Sequence, residues 1–368
     1  MGKHSLIKDQ LTKISKIALI IFGSVAVIAA GLLVLFMYRG EEEARILFFL
    51  FYAGQTMYMQ VLRIVFMGSM LPVFAALVIL SILHKEQAAK VLFIISACAA
   101  ILAVGLICVF LFMQGLPAMV EMGIWEFLTG TDWRPTWDPP RFGIFPMIVG
   151  SLYVTAGAIL FGVPIGIFAA VYMAEVCPKP IYKVLKPAIN LLAGIPSVIY
   201  GYFGMVVLVP FVRENFGGSG FSILTASILL GMMILPTVIT ISENAMRAVP
   251  REMYEGAVAL GASHERAVFW VILPAAKSGV MAAIVLGVGR AIGETMAVRM
   301  VAGNQPLLRM PYEFLQGTRT LTTNVVLDLG YAYGSHRAAL IATGVVLFVF
   351  ILLINTLFSL LKRKGGLR

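Results

Sequence analysis

Two charged residues stand inside an apolar run. Residues 279–304 read GVMAAIVLGVGRAIGETMAVRMVAGN, with Arg290 and Glu294 spaced i, i+4. On a helix that spacing puts both on one face, together with Gly287. If the helix starts near Ser278, Arg290 lies about 18 Å along it, near the centre of a bilayer. A charge there costs at least about 2.5–3.5 kcal/mol, so both residues must face protein or water. Two chemistries fit. The pair can neutralise itself and stiffen a helix interface, or Arg290 can meet an anionic solute while Glu294 holds or releases the guanidinium. The planar fork of arginine matches the oxygens of an anion such as phosphate. Gly289 and Gly293 form a G-x-x-x-G on the neighbouring face, which allows close helix packing. Arg299, near the outer end, is expected to snorkel.

The rest of the chain supplies a membrane for this run. Hydrophobic residues make up 60% and charged residues 12% of the 368, against roughly 45–50% and about 25% in a soluble domain. The spacing of apolar runs predicts eight spans, near 17–37, 64–83, 91–113, 146–173, 188–212, 221–242, 278–300 and 338–361. The run after Lys16 is too long for the apolar part of a signal peptide and is read as the first span. The net charge of +10 reports topology rather than nucleic-acid binding. With the N-terminus inside, every lysine falls on the cytoplasmic side, and both termini are predicted there. The largest external piece, 114–145, is rich in Trp and Pro and is read as a loop whose tryptophans sit at headgroup level or form a docking surface. Glycines and prolines recur in the fourth to sixth spans, which fits either packing or helices that bend around a pathway. Cys98, Cys108 and Cys177 have no metal or redox spacing.

Between the sixth and seventh spans lies a polar connector, EGAVALGASHERAVFWVILP, residues 255–274. Pro250 suits the start of a helix over 251–260, with Glu252 and Glu255 near its positive end. Gly261 suits its left-handed stop, and Pro274 the start of the next helix. The expected shape is two short helices joined at a glycine, a rigid protruding element. No G-x-x-x-x-G-K-[ST] nucleotide loop is present, and Gly287-Val288-Gly289 lies inside a span. Nor is there a nucleophile–base pair, so an enzyme is disfavoured.

Glu255, Ala257, Gly261, Leu273 and Pro274 carry a resemblance. The connector resembles the "EAA" loop of ABC importer permeases, with Gly256 in place of the middle Ala and Val271 in place of an Ile. In that family the loop docks on a separate ATP-hydrolysing subunit. The resemblance narrows further. LGVGRAIGETMAVRMVAGN (286–304), GIPSVIYGYFGMVVLVP (194–210), ISENAMRAVPREMYEGAVALGAS (241–263), FLTGTDWRP (127–135) and Thr318-Arg319-Thr320-Leu321-Thr322 are similar to the phosphate-specific permeases, more to their C-type than their A-type subunit. It covers about 125–361.

That resemblance implies an all-α integral membrane protein of about eight helices, with a type I ABC importer permease core and two extra N-terminal spans. It implies a non-catalytic subunit with no cofactor of its own, ATP and Mg belonging to the partner ATPase. The partners would be an A-type permease, a dimer of ATP-binding subunits and an extracytoplasmic phosphate-binding protein. The coupling loop would comprise Glu252, Glu255, Gly256, Ala257, Gly261, Leu273 and Pro274, and the substrate path Arg290 and Glu294. The organisation read from the chain is an N-terminal extension (1–90), a first family-like span with its external loop (91–145), the permease core (146–361) and a cytoplasmic tail (362–368). Ordinary members begin with one span, matched here by 91–113, so 17–37 and 64–83 are additions. The alternatives are an ABC permease for tungstate, molybdate or sulfate, an ion-coupled secondary transporter with Glu294 as proton carrier, and a non-transporting sensor. The phosphate-type run argues against the first, the connector against the second, and the lack of a sizeable soluble domain against the third.

Overall fold

Small residues decide how the helices meet. A computed structural model describes residues 85–365; the expected spans 17–37 and 64–83 lie outside the described residues. The chain divides into two compact units, one ending at Ile107 and one beginning at Cys108. The contacts below all lie within the second. The described helices are α1 (Lys85–Met122), α2 (Ile124–Thr129), α3 (Phe145–Val176), α4 (Lys179–Gly194), α5 (Ser197–Phe216), α6 (Ile223–Arg247), α7 (Arg251–Ala259), α8 (His264–Ala275), α9 (Lys277–Gly293), α10 (Met296–Val301), α11 (Leu321–Asp328) and α12 (Gly334–Gly365). A two-stranded hairpin pairs β1 (Trp133–Arg134) with β2 (Arg141–Phe142). Five of the described helices are long and apolar enough to cross a membrane, and α8 with α9 make a sixth if that pair, bent by 69°, is one broken span.

The centre is α3 against α6. Gly157 faces Ser227, Gly162 faces the Gly231 carbonyl, and Gly166 faces Val238. Both sequences ascend together, so the two helices run parallel. Pro164 and Pro236 lie within helices that continue past them. The glycines of the fourth span are therefore contact points, at which a Cβ would meet the facing helix. Helix α9 returns antiparallel, with Gly279 against Ala245 and Gly287 against Val238. Val154, Ala158, Leu229, Met233, Ile234 and Val301 close the core between these helices.

Two expected spans are not single helices. In 188–212, Gly194-Ile195-Pro196 separates α4 from α5, because Pro196 disfavours helical geometry at Ile195, which is extended at ψ 126°. The residues before this break form the last turns of an amphipathic helix. It sets Tyr182, Leu185 and Ile189 against the core and leaves Val184 and Leu191 exposed. In 278–300 the helix stops at Gly293, and Glu294 turns extended, with φ −70° and ψ 130°.

The piece 114–145 is also more ordered than a loop. Helix α1 runs through it to Met122 despite Pro117. Trp133 is not at a lipid surface: it is 5% exposed and donates from Nε1 to Asp328 Oδ2 at 3.2 Å. Trp125 and Trp137 are exposed. Asp328 also accepts from Tyr331 at 2.7 Å and from Arg319 at 3.4 Å, and this network pins the hairpin to α11.

Candidate functional site

Arg290 sits half-buried on α9, and its Nη1 donates to Thr237 Oγ1 on α6 at 3.4 Å. Its described partner is thus a neutral hydroxyl, not a carboxylate. Glu294 is engaged elsewhere. Its Oε1 accepts from the Ala297 amide at 3.3 Å, in the first turn of α10, where a carboxylate suits the unsatisfied amides. Its carbonyl accepts from Thr322 Oγ1 at 3.2 Å. The single face predicted from i, i+4 spacing does not form, because the helix ends between the two residues. No ion pair joins them among the described residues.

The connector folds as two short helices. Pro250 precedes α7 with φ −56° and ψ 133°. Gly261 then takes φ +87°, a left-handed conformation that ends the helix. Ser263 opens α8 by accepting from the Arg266 amide, and Tyr254 meets His264 Nδ1 at 2.9 Å across the turn. Glu252, Glu255 and Gly256 are exposed, Ala257 is half-buried, and a Cβ on Gly256 or Gly261 would meet nothing within 4 Å. Leu260 is 91% and Trp270 80% exposed, an unusual display of large apolar groups on a polar element. Leu273 packs on the core beneath, while Pro274 is exposed in the last turn of α8. The next helix starts at Lys277 rather than at Pro274, after the bend at Ala276.

A buried carboxylate locks the bundle where this connector leaves it, and it was not singled out in the sequence. Glu243 near the end of α6 is fully buried. It accepts from Lys186 Nζ at 2.7 Å, Tyr182 Oη at 2.7 Å and Arg247 Nε at 2.9 Å. Donation to this carboxylate is the main reason the Tyr182 phenol is held above its ordinary range, with burial adding to it. Arg247 reaches on to the Met173 carbonyl at 2.8 Å, and Arg251 at the head of α7 pairs with the buried Glu175 side chain at 3.1 Å. The end of α3, the first half of α4, the end of α6 and the start of α7 are therefore joined by one set of polar contacts. The one sequence signal for it was the i, i+4 pair Glu243–Arg247 closing an apolar helix. Glu243→Ala should destabilise the folded chain by about 1–3 kcal/mol, since it leaves the partly buried Lys186 ammonium and the Tyr182 hydroxyl without their acceptor. Thermal unfolding in detergent would read this as a fall of several degrees, partly recovered in Glu243→Ala/Lys186→Met.

The helical arrangement is that of an importer permease. Its fold matches the crystal structure of a bacterial ABC transporter involved in the import of the acidic polysaccharide alginate, with a TM-score of 0.53 and 16% identity over 76% of this chain and 98% of the other. Residues 162–364 match the family described as binding-protein-dependent transport system inner membrane component. The chain is 42% identical to the probable ABC transporter permease protein YqgH of Bacillus subtilis, over 73% of this chain and 90% of that one. It is 32% identical to the phosphate transport system permease protein PstC of Mesorhizobium japonicum, over 70% and 84%. The chain belongs to the binding-protein-dependent inner-membrane permeases. It is a non-catalytic, multi-pass membrane subunit of an ABC importer, and ATP hydrolysis belongs to a partner chain.

Proposed function

We propose that this chain is the C-type permease of a phosphate importer. One observation of the site carries the reading: Arg290, half-buried in the last turn of α9, donates to the neutral Thr237 hydroxyl at 3.4 Å. Its positive charge is thus left for an anion. Relatives named as phosphate permeases, at 30–33% identity, point to the same solute.

In this reading Arg290 and Glu294 lie on the solute path. An A-type permease completes that path, and an external phosphate-binding protein delivers to it. The connector, with Glu252, Glu255, Gly256, Ala257 and Gly261 at its free face and Leu273 and Pro274 at its root, docks on the ATP-binding subunit. The open space around Gly256 and Gly261 and the exposed Leu260 and Trp270 suit such a contact. Both termini then lie in the cytoplasm, with 146–361 as the transport core and 1–90 as an added N-terminal piece. ATP-driven closure of the partner dimer pulls the connector, and the polar lock at Glu243 passes the pull to α3, α4 and α6.

The deciding experiment is ATP hydrolysis by the complete complex in lipid, stimulated by binding protein loaded with phosphate, sulfate, molybdate or tungstate. Stimulation at least about tenfold greater with phosphate is expected. Preference for another oxyanion would keep the ABC permease and change its solute.

A further inference from the structure

Helix α4 connects two membrane spans, and that fixes where it lies. Helix α3 leads into it through Cys177-Pro178, and α5 leaves it after Ile195-Pro196. Both neighbours are long and apolar enough to cross a membrane. The two ends of α4 are therefore held at one membrane surface, and its 16 residues, about 24 Å, run along that surface. It is the surface from which the connector projects. Lys186 of α4 reaches Glu243 at the end of α6, and Glu175 at the end of α3 meets Arg251 of α7. Tyr200 Oη fixes the exit by donating across the break to the Leu192 carbonyl at 3.0 Å.

Successive residues of a helix turn by about 100°, which gives α4 three faces. Tyr182, Leu185 and Ile189 pack on the core. Ile181, Val184, Ala188 and Leu191 form an adjoining apolar face, and all four are exposed, Val184 at 69% and Leu191 at 73%. Lys179 and Lys183, one turn apart, lie opposite Ile181 and Ala188 and are also exposed. An apolar face opposite a lysine-bearing one is the pattern of a helix lying at the boundary of headgroups and acyl chains. The long lysine stems reach headgroups from that position.

Charge says which headgroup. At this end of the bundle Lys186 and Arg247 are matched to Glu243, and Arg251 to Glu175. Lys179 and Lys183 come in addition. Neither enters an ion pair among the described residues, and no acidic residue lies in the first turn of α4. A lone surface lysine is an ordinary solvated group. Two of them on a helix that stays at the membrane surface, beside an exposed apolar face, suit an anion that carries its own hydrocarbon.

We infer that α4 is a binding site for an anionic phospholipid. The headgroup phosphate lies between Lys179 and Lys183, and an acyl chain covers Val184, Ala188 and Leu191. Lys186 leaves the same helix for Glu243, so the lipid seats the helix that holds the polar lock. Each lysine near an anionic surface favours binding about fivefold, so removing both should cost more than about tenfold in affinity. The inference does not depend on the solute carried.

The test uses the complete complex in nanodiscs, with Val184→Trp as a reporter and the parent complex as the background for the native tryptophans. The matrix is phosphatidylcholine. About one tenth of the lipid carries bromine on its acyl chains, either as phosphatidylglycerol or as phosphatidylcholine. Brominated phosphatidylglycerol should quench the reporter at least about threefold more than brominated phosphatidylcholine. Lys179→Gln/Lys183→Gln should abolish that difference, and Lys179→Arg/Lys183→Arg should keep it.

Equal quenching by both lipids in the lysine-intact complex would make the face ordinary lipid surface and overturn the site. A preference that survives Lys179→Gln/Lys183→Gln would overturn the role of the lysines. Quenching by neither lipid would mean that another subunit covers α4, and would overturn the lipid as its occupant. A second measurement, thermal unfolding of complexes without the reporter, guards against a tryptophan that disturbs the helix. Phosphatidylglycerol should raise the midpoint more for the parent than for Lys179→Gln/Lys183→Gln, because a ligand stabilises the state that binds it. An equal rise in the two would overturn the inference.

Discussion

Arg290→Ala is expected to cut solute uptake by roughly 100-fold or more while the complex still assembles and hydrolyses ATP. The structural loss is small, because the bond to Thr237 is long and made to a neutral group, worth about 1 kcal/mol. The functional loss is large. Removing one partner of a desolvated charge contact costs about 2–5 kcal/mol, and every 1.4 kcal/mol is tenfold. Arg290→Lys should fall between, since it keeps the charge and loses the planar fork. The ratio of uptake to hydrolysis in proteoliposomes is the measurement. Uptake within twofold of the parent chain would remove Arg290 from the path.

Gly162→Val should prevent assembly altogether. A Cβ at Gly162 would sit 2.7 Å from the Gly231 carbonyl oxygen and 2.8 Å from Ile234 Cγ1. The first is backbone and the second belongs to a fully buried side chain, so neither can retreat. Overpacking a close-packed core typically costs about 1–3 kcal/mol, and here α3 and α6 would have to part along the centre of the fold. Gly330→Val is the control, because nothing lies within 4 Å of its Cβ position. Size-exclusion chromatography of the complex in detergent should show the control as assembled and Gly162→Val as absent or aggregated. Equal recovery of the two would refute the contact.

The parts of this protein that announce themselves in sequence are those with local causes. Gly261 must be glycine-like to end α7 at φ +87°, so the connector's bend is legible from a single residue. Apolar runs of sufficient length likewise mark four of the described helices directly, α1, α3, α6 and α12. What escapes is what depends on a neighbour. Gly157, Gly162 and Gly166 look like breaks in a span, yet the helix passes through them, because their role is set by α6 some seventy residues on. Spacing alone puts Arg290 and Glu294 on one face. The break between them arises because the Glu294 carboxylate finds the amides of α10. Glu243 reads as the polar end of a helix, and its burial becomes visible once Lys186 and Tyr182 are placed beside it.

The distance in chain between Glu243 and Lys186 also sets an order of events in synthesis. Lys186 precedes Glu243 by 57 residues. At about 5–20 residues per second the lysine emerges from the ribosome roughly 3–11 s earlier. Tyr182 emerges with it, and Arg247 follows four residues after the carboxylate. When α6 leaves the ribosome, a cation and a hydroxyl are therefore already waiting for its acidic end, and the second cation arrives at once. The vectorial order of translation thus presents the partners before the carboxylate that they neutralise. A chain permuted to make α6 before α4 would reverse that order while keeping every contact of the finished fold.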